Sequence, residues 1–295
     1  MSFGLGEFFS LACALVWAVA VILFKKSGES LAPLPLNLFK NMVGLALMLL
    51  TVLAVSGTTW PPIPAEAVLL AFLSGFLGIG AGDTLYFRAL NAIGASRMAV
   101  AQTLYSPFVI VLSALFLAER LGPLQIVGVA VVLGGIFMVH EVSGAAGVDL
   151  RRIRHGLPTA ALSVLLMAVG IVIAKPLLER YDFFWIVTLR IVGGTLGLLL
   201  FTAARGNMGE IRASYRTVRH WPAVIVGSVL GTYVSMLLWL AGYKYTQASI
   251  AAVLNEMAAV FMLALAAVFL HDRLKPLQLW GSVVALAGVG LVVAR

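Results

Sequence analysis

FLAERLGPLQIVG, residues 116–128, sets charged and turn residues between two long apolar runs, and FLHDRLKPLQLWG, residues 269–281, repeats the arrangement 153 positions later. The register needs no gap. It lays Arg120 on Arg273, Pro123 on Pro276, Gln125 on Gln278, Gly128 on Gly281 and Gly135 on Gly288. It also runs backwards, pairing Ala95-Ser96 with Ala248-Ser249 and Gly78 with Gly231. Further upstream the offset becomes 150, where AVAVILFK (18–25) lies over AVGIVIAK (168–175), so that Lys25 meets Lys175 and Lys40 meets Arg190. The chain is two copies of one unit in tandem.

What the unit is made of follows from composition. Hydrophobic residues make up 62% of the chain, charged residues 11%, and the mean hydropathy is +1.05. A soluble domain carries roughly 45–50% and 25% of these classes. The solvent is therefore lipid. Apolar windows long enough to cross ~30 Å of hydrocarbon as helices recur at 8–24, 34–56, 66–90, 97–117, 123–140, 157–175, 184–203, 221–242, 247–270 and 276–294. Continuous runs of this kind predict helices, because barrel strands would alternate over short segments. The expected fold is an all-α membrane protein of ten transmembrane helices, divided as 1–145 and 146–295 into two five-helix repeats.

Five is odd, so a unit entering on one membrane face leaves on the other and its copy stands upside down. Inverted repeats are the architecture of secondary transporters, in which two related halves exchange conformations around a midplane site. Other classes lack support. The start, MSFGLGE, has no basic segment or cleavage motif of a secretory signal. A single cysteine, Cys13, and four histidines give neither a disulfide nor metal-ligand spacing, so no cofactor or metal is expected. The formal charge of +8 lies mostly in short loops, which reads as membrane orientation and not as a nucleic-acid patch. An intramembrane enzyme would need a nucleophile with a base or a registered carboxylate pair, and no such set is visible.

VWAVAVILFK in the first span, LFKNMVGLALMLL in the second, ALNAIGASRMAV leading into the fourth, and Pro107 within YSPFVIVLSALFLAERLGPLQIVGVAVVLGGI, together with their second-half copies, resemble the ten-helix EamA branch of the drug/metabolite transporter superfamily. The resemblance covers essentially the whole chain. It implies a basket of helices around a central cavity and the efflux or exchange of amino acids or other small metabolites, in a multi-pass protein of the bacterial inner membrane. Sugar-phosphate or nucleotide-sugar exchange and broad drug export are the alternatives. The sequence departs from the family pattern at Lys40, where arginine is usual, at His271-Asp272, and in having no proline in the ninth span to match Pro107.

Ionisable residues inside spans cost roughly 2.5–3.5 kcal/mol on insertion scales, so each is a candidate for function. Glu256 lies deep in the ninth span, where its carboxyl can exchange a proton or pair with a substrate ammonium. Asn255 beside it is polar, and Gln102-Thr103 hold the equivalent places in the first half. Lys40 and Arg190, matched by the repeat, could together hold a substrate carboxylate or phosphate. Asp83 and Arg88 read as a gate or structural pair, and Lys25 and Lys175 as interfacial anchors. Tyr86, aligned with Trp239, and Tyr105, Trp17 and Tyr233 fall mid-span, where they could line a cavity. Glu119-Arg120 and Asp272-Arg273 read as hairpin turns whose charges satisfy helix ends. Loops after odd-numbered spans carry most of the basic residues, which places those loops in the cytoplasm and both termini outside, whereas the resemblance implies termini inside. The expected partners are a small-molecule substrate (an amino acid or metabolite), with or without protons, and the bilayer, and no nucleic acid; the sequence sets no oligomeric state, a monomer included.

Overall fold

The computed structural model describes residues 4–28, 31, 33–57, 59, 61–93, 98, 101–141, 150–269 and 276–293. The elements described are helical. They are α1 (Leu5–Gly28), α2 (Pro33–Ser56), α3 (Ala65–Gly75), α4 (Asp83–Ile93), α5 (Tyr105–Phe116), α6 (Pro123–Glu141), α7 (Leu150–Arg180), α8 (Phe183–Ala204), α9 (Met208–Arg216), α10 (Trp221–Ser228), α11 (Ser235–Tyr245), α12 (Ala248–Asn255), α13 (Ala258–Phe269) and α14 (Pro276–Val293). Among the described residues, eight helical segments have the length and apolarity to span a bilayer, and Tyr105–Phe116 and Pro123–Met138 are shorter apolar helices at the places of the fourth and fifth expected spans. The molecule is inside-out relative to a soluble protein: Leu50, Leu115, Leu200 and Trp280 face outward, while Asn37, Asn41 and Arg190 are buried. Such a surface suits acyl chains and would not be tolerated in water.

The helices touch in matched pairs. α1 packs on α11 as α7 packs on α4; α2 packs on α10 and the turn after it as α8 packs on α3 and the turn after it; α1 packs on α12 and α13 as α7 packs on α5. α6 and α14 make the most extensive helix pair. Without a hydrophobic drive between helices in lipid, small residues that admit close backbone approach decide such contacts. The glycines shared by the two repeats supply them here: a Cβ on Gly135 would sit 2.5 Å from the Ala285 nitrogen, and one on Gly288 would sit 2.6 Å from the Val132 nitrogen.

Four local departures from regular α-helix also come in matched pairs. α3 passes into α4 through a π-helical turn, Phe76–Gly82, and α10 passes into α11 through another, Val229–Val234. The amide of Asp83 bonds the carbonyl of Gly78, and that of Ser235 bonds the carbonyl of Leu230, five residues back in each case. The fourth apolar stretch breaks at Thr103-Leu104, and the ninth breaks at Glu256-Met257. The sequence reading expected both stretches to be continuous. Pro107 has no amide to give the Thr103 carbonyl, which favours the first break. At the second, the amides of Glu256, Met257 and Ala259 bond carbonyls three residues back at 3.1, 3.2 and 3.1 Å, a local tightening that divides α12 from α13.

One connection is itself helical, and one further expectation needs correction. The loop after α8 contains α9, a polar helix whose Tyr215 hydroxyl donates to the Pro35 carbonyl at 3.0 Å. Glu119 does not serve its own hairpin but reaches to the start of α12. Its repeat counterparts Asp272 and Arg273 lie outside the described residues.

Candidate functional site

The two helix breaks face each other, because α5 and α12 are in contact. Ser106, just past the first break, donates its hydroxyl to Glu256 Oε1 at 3.0 Å, and Glu256 sits at the second break with intermediate exposure. Neither Lys40 nor Arg190 neutralises this carboxylate. Next to it, the hydroxyls of Tyr105 and Tyr243 lie 2.8 Å apart. Trp239 meets Tyr243 edge-on, with ring centroids 5.4 Å apart. Trp239, Tyr243 and Tyr105 therefore stand between the Arg190 guanidinium, which lies over the Trp239 ring, and the Ser106–Glu256 pair.

Arg190 is 1% exposed. Its Nη1 donates to the Ser74 hydroxyl and, at 3.1 Å, to the Gly170 carbonyl, and its guanidinium stands 5.7 Å from the Trp239 ring centroid. All of these partners are neutral, and Nε has no hydrogen-bond partner. Among the described residues no carboxylate pairs with Arg190. Close backbone approach explains its placement: a Cβ on Gly75 would fall 1.8 Å from the Arg190 carbonyl oxygen, so only glycine lets α3 come this near to α8. A buried guanidinium held by neutral groups retains donor capacity for a planar anion.

Lys40 follows a different course from its repeat partner. Its ammonium lies 3.5 Å from Asp83, at the start of α4, with side-chain exposures of 12% and 21%. Thus Asp83 pairs with Lys40 and not with Arg88, which is exposed and lies over the Phe201 ring at 5.1 Å. Lys40 and Arg190 are equivalent in sequence yet differ in partners, because the position matching Asp83 in the second repeat is Met236, which has no charge to offer. Tyr86 stands one turn beyond Asp83 and feels its charge.

The remaining candidates divide. Asn255 spends its amide on the Ala251 carbonyl at 2.7 Å, within its own helix. Gln102 keeps a buried Oε1 without a hydrogen-bond partner. Trp17 packs on the cluster that contains Leu254 and Met257, close to the second break. Tyr233 shares a 2.6 Å hydrogen bond with Thr51, which ties the second π-turn to α2. Lys175 is no interfacial anchor: it is 7% exposed and donates to the carbonyls of Tyr243 and Thr246 at 2.8 Å each. The side chain of Lys25 lies outside the described residues. Ser106 and Tyr243 were not singled out in the sequence, since hydroxyls in apolar helices are common and only their three-dimensional neighbours distinguish them.

A helical membrane protein with an unpaired carboxyl at a broken helix and a buried guanidinium resting on neutral groups belongs, by class, with multi-pass transporters. Comparison with known proteins agrees. The model of the EamA-like transporter family matches residues 4–140 and again residues 154–294. Two proteins of Archaeoglobus fulgidus, each described as an uncharacterized transporter, are similar over most of their length. One is 22% identical over 283 residues, covering 95% of either chain, and the other is 23% identical over 266 residues, covering 90% of this chain and 89% of its own. A solved crystal structure superposes with a TM-score of 0.81 at 16% identity, covering 97% of this chain and 95% of its own. The chain belongs to the EamA-like transporter family.

Proposed function

We propose that the protein is a secondary exporter of amino acids or closely related zwitterionic metabolites in a cytoplasmic membrane. The observation that carries this reading is the pair of opposite charges at the two ends of the Trp239–Tyr243–Tyr105 row, Arg190 and Glu256, neither of which is ion-paired to any described residue. A zwitterion supplies both missing partners. Its ammonium meets Glu256 and its carboxylate meets the Arg190 fork, with Trp239 as an apolar wall and Gln102 and Asn255 close to the breaks. Glu256, which accepts from the hydroxyl and the amide of Ser106 and forms no ion pair with a described residue, is also the group that takes up a proton when the ammonium departs. Lys40 with Asp83 and Tyr86 forms a second polar cluster, which we assign to the path leading to the site.

The division into inverted halves, 1–145 and 146–295, belongs to the same proposal. It is supported by the matched helix contacts, the matched π-turns and the matched breaks. Alternating access follows if one half rocks against the other about the α6–α14 pair. Sugar-phosphate exchange fits less well, since a phosphate dianion needs several free cations, and Lys40 and Lys175 already face carboxylates.

Purified protein in liposomes, screened against amino acids by counterflow, tests the reading. Counterflow of a neutral or aromatic amino acid that is lost in Glu256→Gln supports it. Full activity of that variant removes Glu256 from the mechanism.

A further inference from the structure

The turn quoted at the outset has a role that its sequence did not disclose. After α5 the chain passes through Ala118 at φ +54°, in the left-handed region that non-glycine residues avoid. The amides of Leu117 and Glu119 fold back on the Ser113 carbonyl at 2.9 and 3.2 Å. This strained turn aims Glu119 away from its own hairpin and at the N-terminus of α12. That terminus lacks a local cap, because Gln247 makes no side-chain capping bond. Glu119 supplies one from the other half of the chain. Its Oε1 accepts from the Ala248 amide at 2.7 Å, and its Oε2 accepts from the Ser249 amide at 3.1 Å and the Ser249 hydroxyl at 2.8 Å. The Ser249 hydroxyl also lies 2.7 Å from that of Ser113.

A second group fixes the same place. Lys175 stands 3.9 Å from Glu119 Oε1, and it holds the α11–α12 turn through the carbonyls of Tyr243 and Thr246 while pairing with Glu179 at 2.7 Å. On the other flank Thr246 donates its hydroxyl to Glu7 at 3.0 Å. A cavity of about 600 Å³ opens beside this contact, lined in part by Glu119, Lys175, Thr246 and Gln247. The far end of α12 carries Glu256. At about 1.5 Å per residue an eight-residue helix sets the capped end and the proposed ammonium-binding carboxyl some 12 Å apart on one rigid rod.

We propose that the Glu119–Ser249 contact is the closed gate at one membrane face, and that Glu119 is a positioning residue whose release frees α12 to move Glu256 between the two access states. The inference rests on the transporter reading. A carboxylate accepting from two helix amides and a hydroxyl is strongly held, yet Glu119 borders the cavity, from which water can replace those bonds once the halves part. The contact is therefore firm and reversible.

The test uses the whole protein with Cys13→Ser to remove the native thiol. Ser113→Cys with Ser249→Cys places two sulfurs where the hydroxyls now touch, within reach of a disulfide of about 2.05 Å. Oxidation should form the bond, stop counterflow, and be reversed by reductant to the level of the reduced double variant. Full counterflow with the bond formed, or failure of the pair to oxidise, overturns the gate. A second arm needs no substrate. With Ser249→Cys alone as reporter, Glu119→Ala should raise its rate of modification by a membrane-impermeant thiol reagent at least tenfold, and an unchanged rate overturns the role of Glu119. If no reduced variant transports any substrate while Glu119→Ala still exposes the reporter, the transporter reading fails and the contact stands.

Discussion

Arg190→Lys is the perturbation that most sharply separates a binding guanidinium from a structural one. Arginine presents a planar fork, whereas lysine presents a point charge on a flexible stem. In the proposed complex the fork makes two charge-assisted bonds to a substrate carboxylate, each contributing about 1.5–3 kcal/mol, and lysine keeps one at best. Losing one such bond weakens binding roughly ten- to hundred-fold at 1.4 kcal/mol per tenfold. The same substitution also forfeits a bond from this charged donor to Ser74 or Gly170, which costs the fold about 1.5–3 kcal/mol. The half-saturation concentration for counterflow should rise roughly ten- to hundred-fold in addition to that loss of stability. Measuring half-saturation in liposomes and the thermal midpoint in detergent on the same preparation gives both quantities. A half-saturation concentration within twofold of the unmutated protein's, whatever the midpoint does, refutes carboxylate binding by Arg190.

Three more outcomes are expected. Gly75→Ala puts a Cβ 1.8 Å from the Arg190 carbonyl oxygen, so α3 and α8 must part; overpacking of this kind costs about 1–3 kcal/mol or more, read as a lower thermal midpoint together with weaker substrate binding. Ser106→Ala removes the one hydroxyl bonded to Glu256 and should change the pH profile of counterflow while leaving the thermal midpoint within about 1–2 kcal/mol of its starting stability. Lys40→Met and Asp83→Asn each strand a partly buried partner and should cost about 3 kcal/mol, whereas the double variant should regain most of that loss; additive losses in the cycle would mean that the two charges do not depend on each other.

Much of the architecture was readable because lipid constrains composition severely: every apolar run of bilayer length had to be a helix, and the repeat of the Arg120 turn at Arg273 revealed the duplication. Membership of the family followed from the order of those runs. The irregular backbone was less accessible. A π-turn changes hydrogen bonding by one residue and leaves the apolar pattern intact, so neither Phe76–Gly82 nor Val229–Val234 stood out from the helices around it. Pro107 marked one helix break, but the break at Glu256 carries no proline. Partnership was harder still. Lys40 and Arg190 are symmetric in the sequence, and only the fold shows that Asp83 takes the first while the second rests on neutral groups. Lys175 looked interfacial because it ends an apolar run; the carbonyls of Tyr243 and Thr246 that hold it come from a distant turn.

The central claim is that one site grips both ends of a zwitterion, with Glu256 on the ammonium and Arg190 on the carboxylate. Counterflow in liposomes of an amino acid, its decarboxylated amine and its deaminated acid, compared side by side, addresses it most directly. The account predicts that the intact zwitterion exchanges at least tenfold faster than either fragment. Equal exchange of a fragment, or no exchange of any zwitterion tried, would contradict it.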